Sequence, residues 1–347
     1  MKRIKAAIIG AGGYSGAELV SILLRHPRAE IVGLFGSGKS DKPQSMGDLY
    51  PRLRGRIQMP VAAAELGALK ACGAEAVFLA TPHEASIHWA ADLMGLGVAA
   101  PKVFDLSGAF RLKSAALYPK FYGFEHEQPD LLLKAVYGLP ELHRKEIGKA
   151  DLIAVPGCYP TSAILPLAPL ARAGAIDRRR RAIVDSTSGV SGAGRSATVK
   201  SLFCEVSLQP YNVFKHRHNP EIDLYSGTPV VFTPHLGQFD RGILSTIHIE
   251  LADRWDGPRL TETLKTAYGE EAFVRLMAPD VWPSVGAVRG TNFCDIGWAV
   301  DEANKHLIVV SAIDNLVKGA AGQAVQCFNV RFGFDEGLAL DGGGSLA

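Results

Sequence analysis

Short apolar runs alternate with helix-forming stretches along the first half of the chain. Lys5-Ala-Ala-Ile-Ile9 is a continuous apolar run, as expected of a strand buried on both faces of a parallel sheet. Ala17 to Leu24 follows as a helix, and Ile31 to Phe35 as a second strand. Ala74 to Ala80 predicts a third strand, with a helix beginning at Glu84. Lys102 to Leu106 and Asp151 to Val155 add two more. Ser162 to Ala171 is apolar and predicted helical despite its prolines. From about residue 158 the pattern changes. Ala182 to Asp185, Pro229 to Thr233, Ile243 to Leu251, Asn292 to Trp298 and His306 to Ser311 read as strands, several of them alternating apolar with polar. That pattern predicts a largely antiparallel sheet with one covered face. His248 falls on the opposite face from Ile247 and Ile249 and reads as a strand-face histidine without function.

At 347 residues the chain predicts two domains. Its 47% hydrophobic and 21% charged composition is ordinary for a soluble enzyme, and a net charge of +2 points to neither nucleic acid nor a membrane. Arg178 to Arg181, the one dense basic run, lacks interleaved aromatics and reads as an exposed turn. Five cysteines with no CxxC spacing argue against a disulfide framework and against a zinc or other metal site. Met1 to Lys5 lacks the pattern of a signal peptide, and no apolar run approaches the length of a membrane span. The expected compartment is the reducing cytoplasm.

Gly10-Ala-Gly-Gly13-Tyr-Ser-Gly16 lies between a buried strand and a helix. Glycines there permit a tight turn and close approach to a pyrophosphate, which the helix amino terminus attracts. Gly10, Gly12, Gly13, Tyr14, Ser15 and Gly16 are therefore expected to bind a dinucleotide. After the second strand no acid occurs until Asp41, and Ser37 and Lys39 suit a 2′-phosphate, so NADP is preferred over NAD. A solvated turn that happens to carry lysine is the alternative. Thr81, Pro82 and His83 end a strand and border the expected cofactor. Arg111 follows another strand end, as an anion ligand or as an exposed loop arginine.

Pro156-Gly-Cys158-Tyr-Pro-Thr161 places a cysteine at a strand end and a helix amino terminus together. That position favours the thiolate, the nucleophilic form. Cys72, Cys204, Cys294 and Cys327 read as small buried hydrophobes. Three further segments carry candidate chemistry. Ser188 to Arg195 is a glycine- and serine-rich loop able to approach the nicotinamide or a phosphate through backbone N–H groups. His216-Arg-His218-Asn-Pro-Glu221 concentrates titratable groups, and Thr233 to Leu236 with Arg241-Gly242 links two strands. A solvated loop explains each one alone about as well as catalysis does.

Gly10–Glu18, Asp105–Leu112, Tyr137–Glu141, Pro156–Thr161, Ser188–Arg195, His216–Ile222 and Asp314–Gln326 together resemble the N-acetyl-gamma-glutamyl-phosphate reductases of arginine biosynthesis. The resemblance implies an α/β fold: a Rossmann domain over residues 1–157 and 312–347, with a returning helix, and an α+β domain over 158–311. The second would have a mostly antiparallel sheet, like that of aspartate-semialdehyde and glyceraldehyde-phosphate dehydrogenases. It also implies a homo-oligomer (dimer or tetramer), with Asn315 near the nicotinamide. On this reading Cys158 attacks the acyl phosphate, NADPH reduces the thioester, and His218 manages the proton, with His216 as rival and Glu221 orienting either ring. Ser188 and Gly189 would meet the cofactor. Arg111, Ser191, Gly192 and Arg195 would meet the substrate. Two departures from the family pattern stand out: Gly38-Lys39, where an arginine is common, and the stretch between Cys204 and His216. The alternatives are a sibling reductase acting on an amino-adipyl or aspartyl phosphate, or a non-catalytic NADPH-binding regulator.

Overall fold

A computed structural model describes residues 2–36 and 44–340. The chain divides into two compact units, one running to Pro156 and resuming at Ala320, the other spanning Gly157–Gly319.

The first unit is built on eight strands: β1 (Ile4–Ile9), β2 (Ala29–Gly36), β3 (Gln44–Ser45), β4 (Pro60–Ala63), β5 (Ala76–Leu79), β6 (Lys102–Asp105), β7 (Val136–Tyr137) and β8 (Leu152–Ala154). Their order is β3-β4-β2-β1-β5-β6-β8-β7, parallel throughout except for β3 against β4. Ala6 to Ile9 are wholly buried, which is why β1 is apolar without alternation. Phe78 and Phe104 stack at 4.9 Å, and Phe328 of the Gly322–Phe332 helix closes over both. Burying each such ring stabilises the fold by about 1.5–3 kcal/mol. The expected helices appear as Tyr14–Leu23 and His83–Met94.

The second unit contains β9 (Ala182–Ser188), β10 (Gln209–Pro210), β11 (Val230–Leu236), β12 (Ile243–Glu250), β13 (Val274–Leu276), β14 (Cys294–Asp301) and β15 (His306–Ile313). They form one sheet, ordered β10-β11-β9-β12-β15-β14-β13, in which only β11–β9 and β13–β14 are parallel. Along β12, buried Ile243, Ser245, Ile247 and Ile249 alternate with half-buried Leu244, Thr246 and His248, so one face is covered as the alternation predicts. His248 pairs with His306 at 3.1 Å on the other face.

The long helix Cys158–Ala173 carries Pro166 and Pro169 in its interior. Each proline lacks an N–H and so orphans the carbonyl four residues earlier. Both orphans are answered. Ser311 Oγ donates to Ser162 O at 2.6 Å, and the Tyr268 hydroxyl donates to Leu165 O. Ser162 Oγ in turn donates to Tyr159 O and joins Ser245 and Ser186 in a buried hydroxyl chain under the helix. Among the described residues no helix is long and apolar enough to cross a membrane.

Candidate active site

Cys158 is the first residue of its helix. Gly157 precedes it in an extended conformation (φ −68°, ψ 154°), with no side chain capping the amino end. The Thr161 N–H and hydroxyl both donate to Gly157 O, at 2.9 and 3.0 Å, closing the first turn. The Gly157 N–H donates to Glu221 Oε1 at 2.8 Å. Glu221 is fully buried on the helix His218–Ser226, and a carboxylate in that position requires such charge-assisted bonds. Its observed bond therefore holds the turn before Cys158. On the other side lies Gly319, where a Cβ would stand 2.7 Å from the Cys158 Cβ. The backbone at 319 rests directly on the cysteine.

Cys158, half-buried, opens onto a cavity of about 330 Å³ that His216, His218, Ser188, Gly189 and Gly192 also line. His216 Nδ1 accepts the His218 backbone N–H at 3.1 Å, which places the ring's proton on Nε2. Edge-on rings surround His216: Tyr159 at 5.8 Å, Tyr211 at 5.5 Å and Phe232 at 5.4 Å. Burial, reinforced by the neighbouring Arg217 charge, lowers its pKa to about 3. A neutral ring so far from its titration range is a weak proton acceptor at neutral pH. The Tyr159 hydroxyl donates to His235 O at 3.0 Å and accepts from Tyr211 at 3.1 Å. Burial pushes both phenols above their ordinary range, so they stay protonated.

The glycine- and serine-rich loop differs from expectation. The N–H groups of Gly189, Val190 and Ser191 donate to the carbonyls of Gly242, Phe239 and Asp240, and those of Gly192 and Gly194 turn back to Gly189 and Ser191. These amides are already engaged, so they are not the expected donors to a ligand. Asn315 fastens this loop: its Nδ2 donates to Ser191 Oγ at 3.0 Å, and its Oδ1 accepts from Gly242 N at 2.6 Å. Asp314 beside it accepts from Arg241 at 2.5 Å and from the Leu316 and Val317 amides.

Arg111 is neither an exposed loop arginine nor outside the first unit's core. It is buried, and donates to Val155 O and Leu106 O, both at 2.8 Å, tying the ends of β6 and β8 together. Beneath it Asp105, fully buried and with its pKa raised by burial, accepts both the N–H and the hydroxyl of Ser107 at 2.9 Å. Arg195 is exposed and does not line the cavity. Cys204 is exposed rather than a buried hydrophobe, and Cys72 is half-buried with its thiol on Leu69 O; Cys294 and Cys327 are buried.

In the first unit the glycine turn divides by cause. Gly10 has φ +88°, and a Cβ there would lie 2.3 Å from Ala80 O; a Cβ on Gly16 would lie 2.3 Å from Gly10 O. The protein's own packing requires both. Gly12 and Gly13 meet nothing closer than 3.6 Å, and Gly13 opens the helix Tyr14–Leu23 with no side-chain cap. Packing within the protein therefore makes no demand for glycine at Gly12 and Gly13. Thr81 bonds Ser86 at 2.7 Å and Pro82 begins the helix His83–Met94 directly beside this turn; His83 Nδ1 accepts from Gly108 N at 2.8 Å. The 2′-phosphate contacts expected at Ser37 and Lys39 lie outside the described residues.

Several residues around Cys158 escaped the sequence reading: Tyr159, Lys200, Tyr211 and Arg217 on the cavity wall, and Gly319 beneath the cysteine. Arg217 was visible between two singled-out histidines; nothing in the sequence marks Lys200.

The two units define a class. Residues 5–150 match the family described as "Semialdehyde dehydrogenase, NAD binding domain", and residues 158–315 the one described as "Semialdehyde dehydrogenase, dimerisation domain". The fold is that of aspartate semialdehyde dehydrogenase II of Vibrio cholerae, with a TM-score of 0.70 at 17% identity over 95% of this chain and 98% of that one. The N-acetyl-gamma-glutamyl-phosphate reductases of Pseudoalteromonas atlantica and Yersinia pestis are each 48% identical over 97% of this chain, and over 98% and 99% of their own lengths. The chain belongs to the N-acetyl-gamma-glutamyl-phosphate reductase family.

Proposed function

We propose that the chain reduces N-acetyl-gamma-glutamyl phosphate to N-acetylglutamate 5-semialdehyde and phosphate, with NADPH as reductant and Cys158 as nucleophile. The observation that carries the reading is a half-buried cysteine at an open helix amino end, facing a cavity it shares with His218. The positive end of the helix dipole favours the thiolate. Attack on the acyl carbon forms a C–S bond, breaks the C–O bond to phosphate and leaves a thioester on Cys158. NADPH, when bound, supplies the hydride that reduces this carbonyl. His218 gives a proton to the oxygen of the resulting thiohemiacetal and takes it back as the C–S bond breaks, releasing aldehyde and thiolate. The lowered pKa of His216, and the hydrogen bond by which its Nδ1 holds the His218 backbone, favour His218 over His216 for that role. Glu221 keeps the turn at Gly157 in place.

Gly10, Gly12, Gly13 and the helix beginning at Tyr14 would hold the pyrophosphate, and the preference for NADP rests on Ser37 and Lys39. The enzyme acts as a homo-oligomer in the cytoplasm, where its five free cysteines stay reduced. Cys158→Ser tests the central claim: turnover is expected to fall below about a hundredth of wild type while NADPH still binds, because proton-transfer groups alone supply about 10²–10⁴. Turnover above that level would refute it. Oxidation of N-acetylglutamate, aminoadipate and aspartate semialdehydes, compared with each coenzyme, tests substrate and NADP together.

A further inference from the structure

We infer that Lys200 and Arg217 bind the two anionic ends of the substrate, Arg217 taking the carboxylate and Lys200 the phosphoryl group. The inference rests on the acyl-phosphate reading of the Cys158 cavity and names the contacts that reading lacks. An acyl phosphate with a free carboxylate is anionic at both ends, so its site needs two cations. The sequence offered Arg111 and Arg195. The first is buried and donates Nε to Val155 O and Nη2 to Leu106 O, and the second stands off the cavity.

The cavity wall contains no aspartate or glutamate, and its only permanently charged side chains are Lys200 and Arg217. Among the described residues neither takes part in an ion pair or a side-chain hydrogen bond. Arg144, Arg179, Arg241, Arg275 and Arg289, by contrast, each face a carboxylate. Two cations without acid partners, on the wall of a cavity that also holds the nucleophile, suit an anionic ligand. A cavity of about 330 Å³ also suits a molecule of this small size.

The assignment of ends follows from where each cation is held. Arg217 caps the helix His218–Ser226 and sits between two buried histidines, so its backbone is fixed. A planar guanidinium fork matches a carboxylate, the end that remains bound from acyl phosphate through thioester to aldehyde. Lys200 belongs to the short, exposed turn Val199–Ser201. A flexible point charge suits the phosphoryl group, which must leave midway through each cycle.

The reverse reaction separates the two anions, because phosphate and the carboxylate-bearing semialdehyde then arrive as different molecules. Lys200→Gln is expected to raise KM for inorganic phosphate at least about tenfold and to leave KM for the semialdehyde within twofold; Arg217→Gln does the opposite. A turnover-independent measurement runs beside it: protection of Cys158 from iodoacetamide by inorganic phosphate and by N-acetylglutamate, read by mass spectrometry. Each variant should weaken protection by one anion about tenfold and not by the other. Constants unchanged in both variants, or raised equally for both anions, would overturn the assignment. If the wild-type protein failed to turn over the acyl phosphate, the functional reading would fall, while the protection assay would still decide whether these cations bind anions.

Discussion

Gly319→Ala tests how tightly the nucleophile is held. A Cβ at 319 would lie 2.7 Å from the Cys158 Cβ and 3.2 Å from its Cα. Carbon atoms rest at about 3.5–4.0 Å, so one side must yield by roughly 1 Å. The segment at 319 is not free to retreat, because the Gly319 N–H is bonded to Asp314 O at 2.9 Å and Asp314 is itself anchored by Arg241 and Gly290. The cysteine is therefore expected to move. Overpacking costs about 1–3 kcal/mol of stability, and the lost freedom of the unfolded chain returns about 0.4–1 kcal/mol of it. The fold should survive with a modestly lower Tm. A displacement of about 1 Å at a reacting atom costs about 10²-fold in rate, so kcat should fall by about two orders of magnitude. NADPH oxidation reads kcat, and thermal unfolding reads stability. Gly286→Ala, whose Cβ would meet nothing within 4 Å, is the control for glycine replacement itself. A Gly319→Ala enzyme with kcat within about threefold of wild type and an unchanged Tm would refute the view that this glycine sets the cysteine's position.

Gly16→Ala drives a Cβ to 2.3 Å from Gly10 O and should destabilise the protein by more than about 1 kcal/mol in a denaturant titration. Gly13→Ala, with nothing nearer than 3.6 Å, should leave stability alone and raise KM for NADPH. His216, near 3 in the fold against 6.5 when exposed, is neutral where the unfolded chain is protonated, so its contribution is full above pH 6.5 and is lost as pH falls towards 3. At pH 5 that loss comes to about 2 kcal/mol relative to pH 8. His216→Asn, whose Oδ1 can still accept the His218 N–H, should flatten the stability–pH curve by that amount; equal slopes in both proteins would contradict it. Ser311→Ala and Tyr268→Phe each leave a buried carbonyl of the Cys158 helix unanswered and should each lower stability by about 1–3 kcal/mol, read by denaturant unfolding.

Those last two substitutions also mark where the sequence stopped being legible. β1, β5, β6, β12 and β15 announced themselves because each buries an apolar run or alternates buried with half-buried positions, a property of single residues in order. β4 did not, since Pro60–Ala63 is largely exposed, and β3, β7 and β10 are two-residue pairings that neighbours create. The prolines of the Cys158 helix were visible, but what makes them tolerable comes from Tyr268 and Ser311, more than a hundred residues away in sequence. The site divides along the same line. Cys158 and the histidines could be singled out because their chemistry is intrinsic to the side chain, as could the glycine turn because it is local. What Arg111, Glu221 and Asn315 bond to is decided by what stands opposite them: two strand-end carbonyls, a backbone amide, and a serine and a turn; the place of Lys200 on the cavity wall is likewise set by the fold. Neither the burial of Arg111 nor the carbonyls that it holds could be read from its place after a strand. That exposed Lys200 borders the same cavity as Cys158 is visible only in the folded chain.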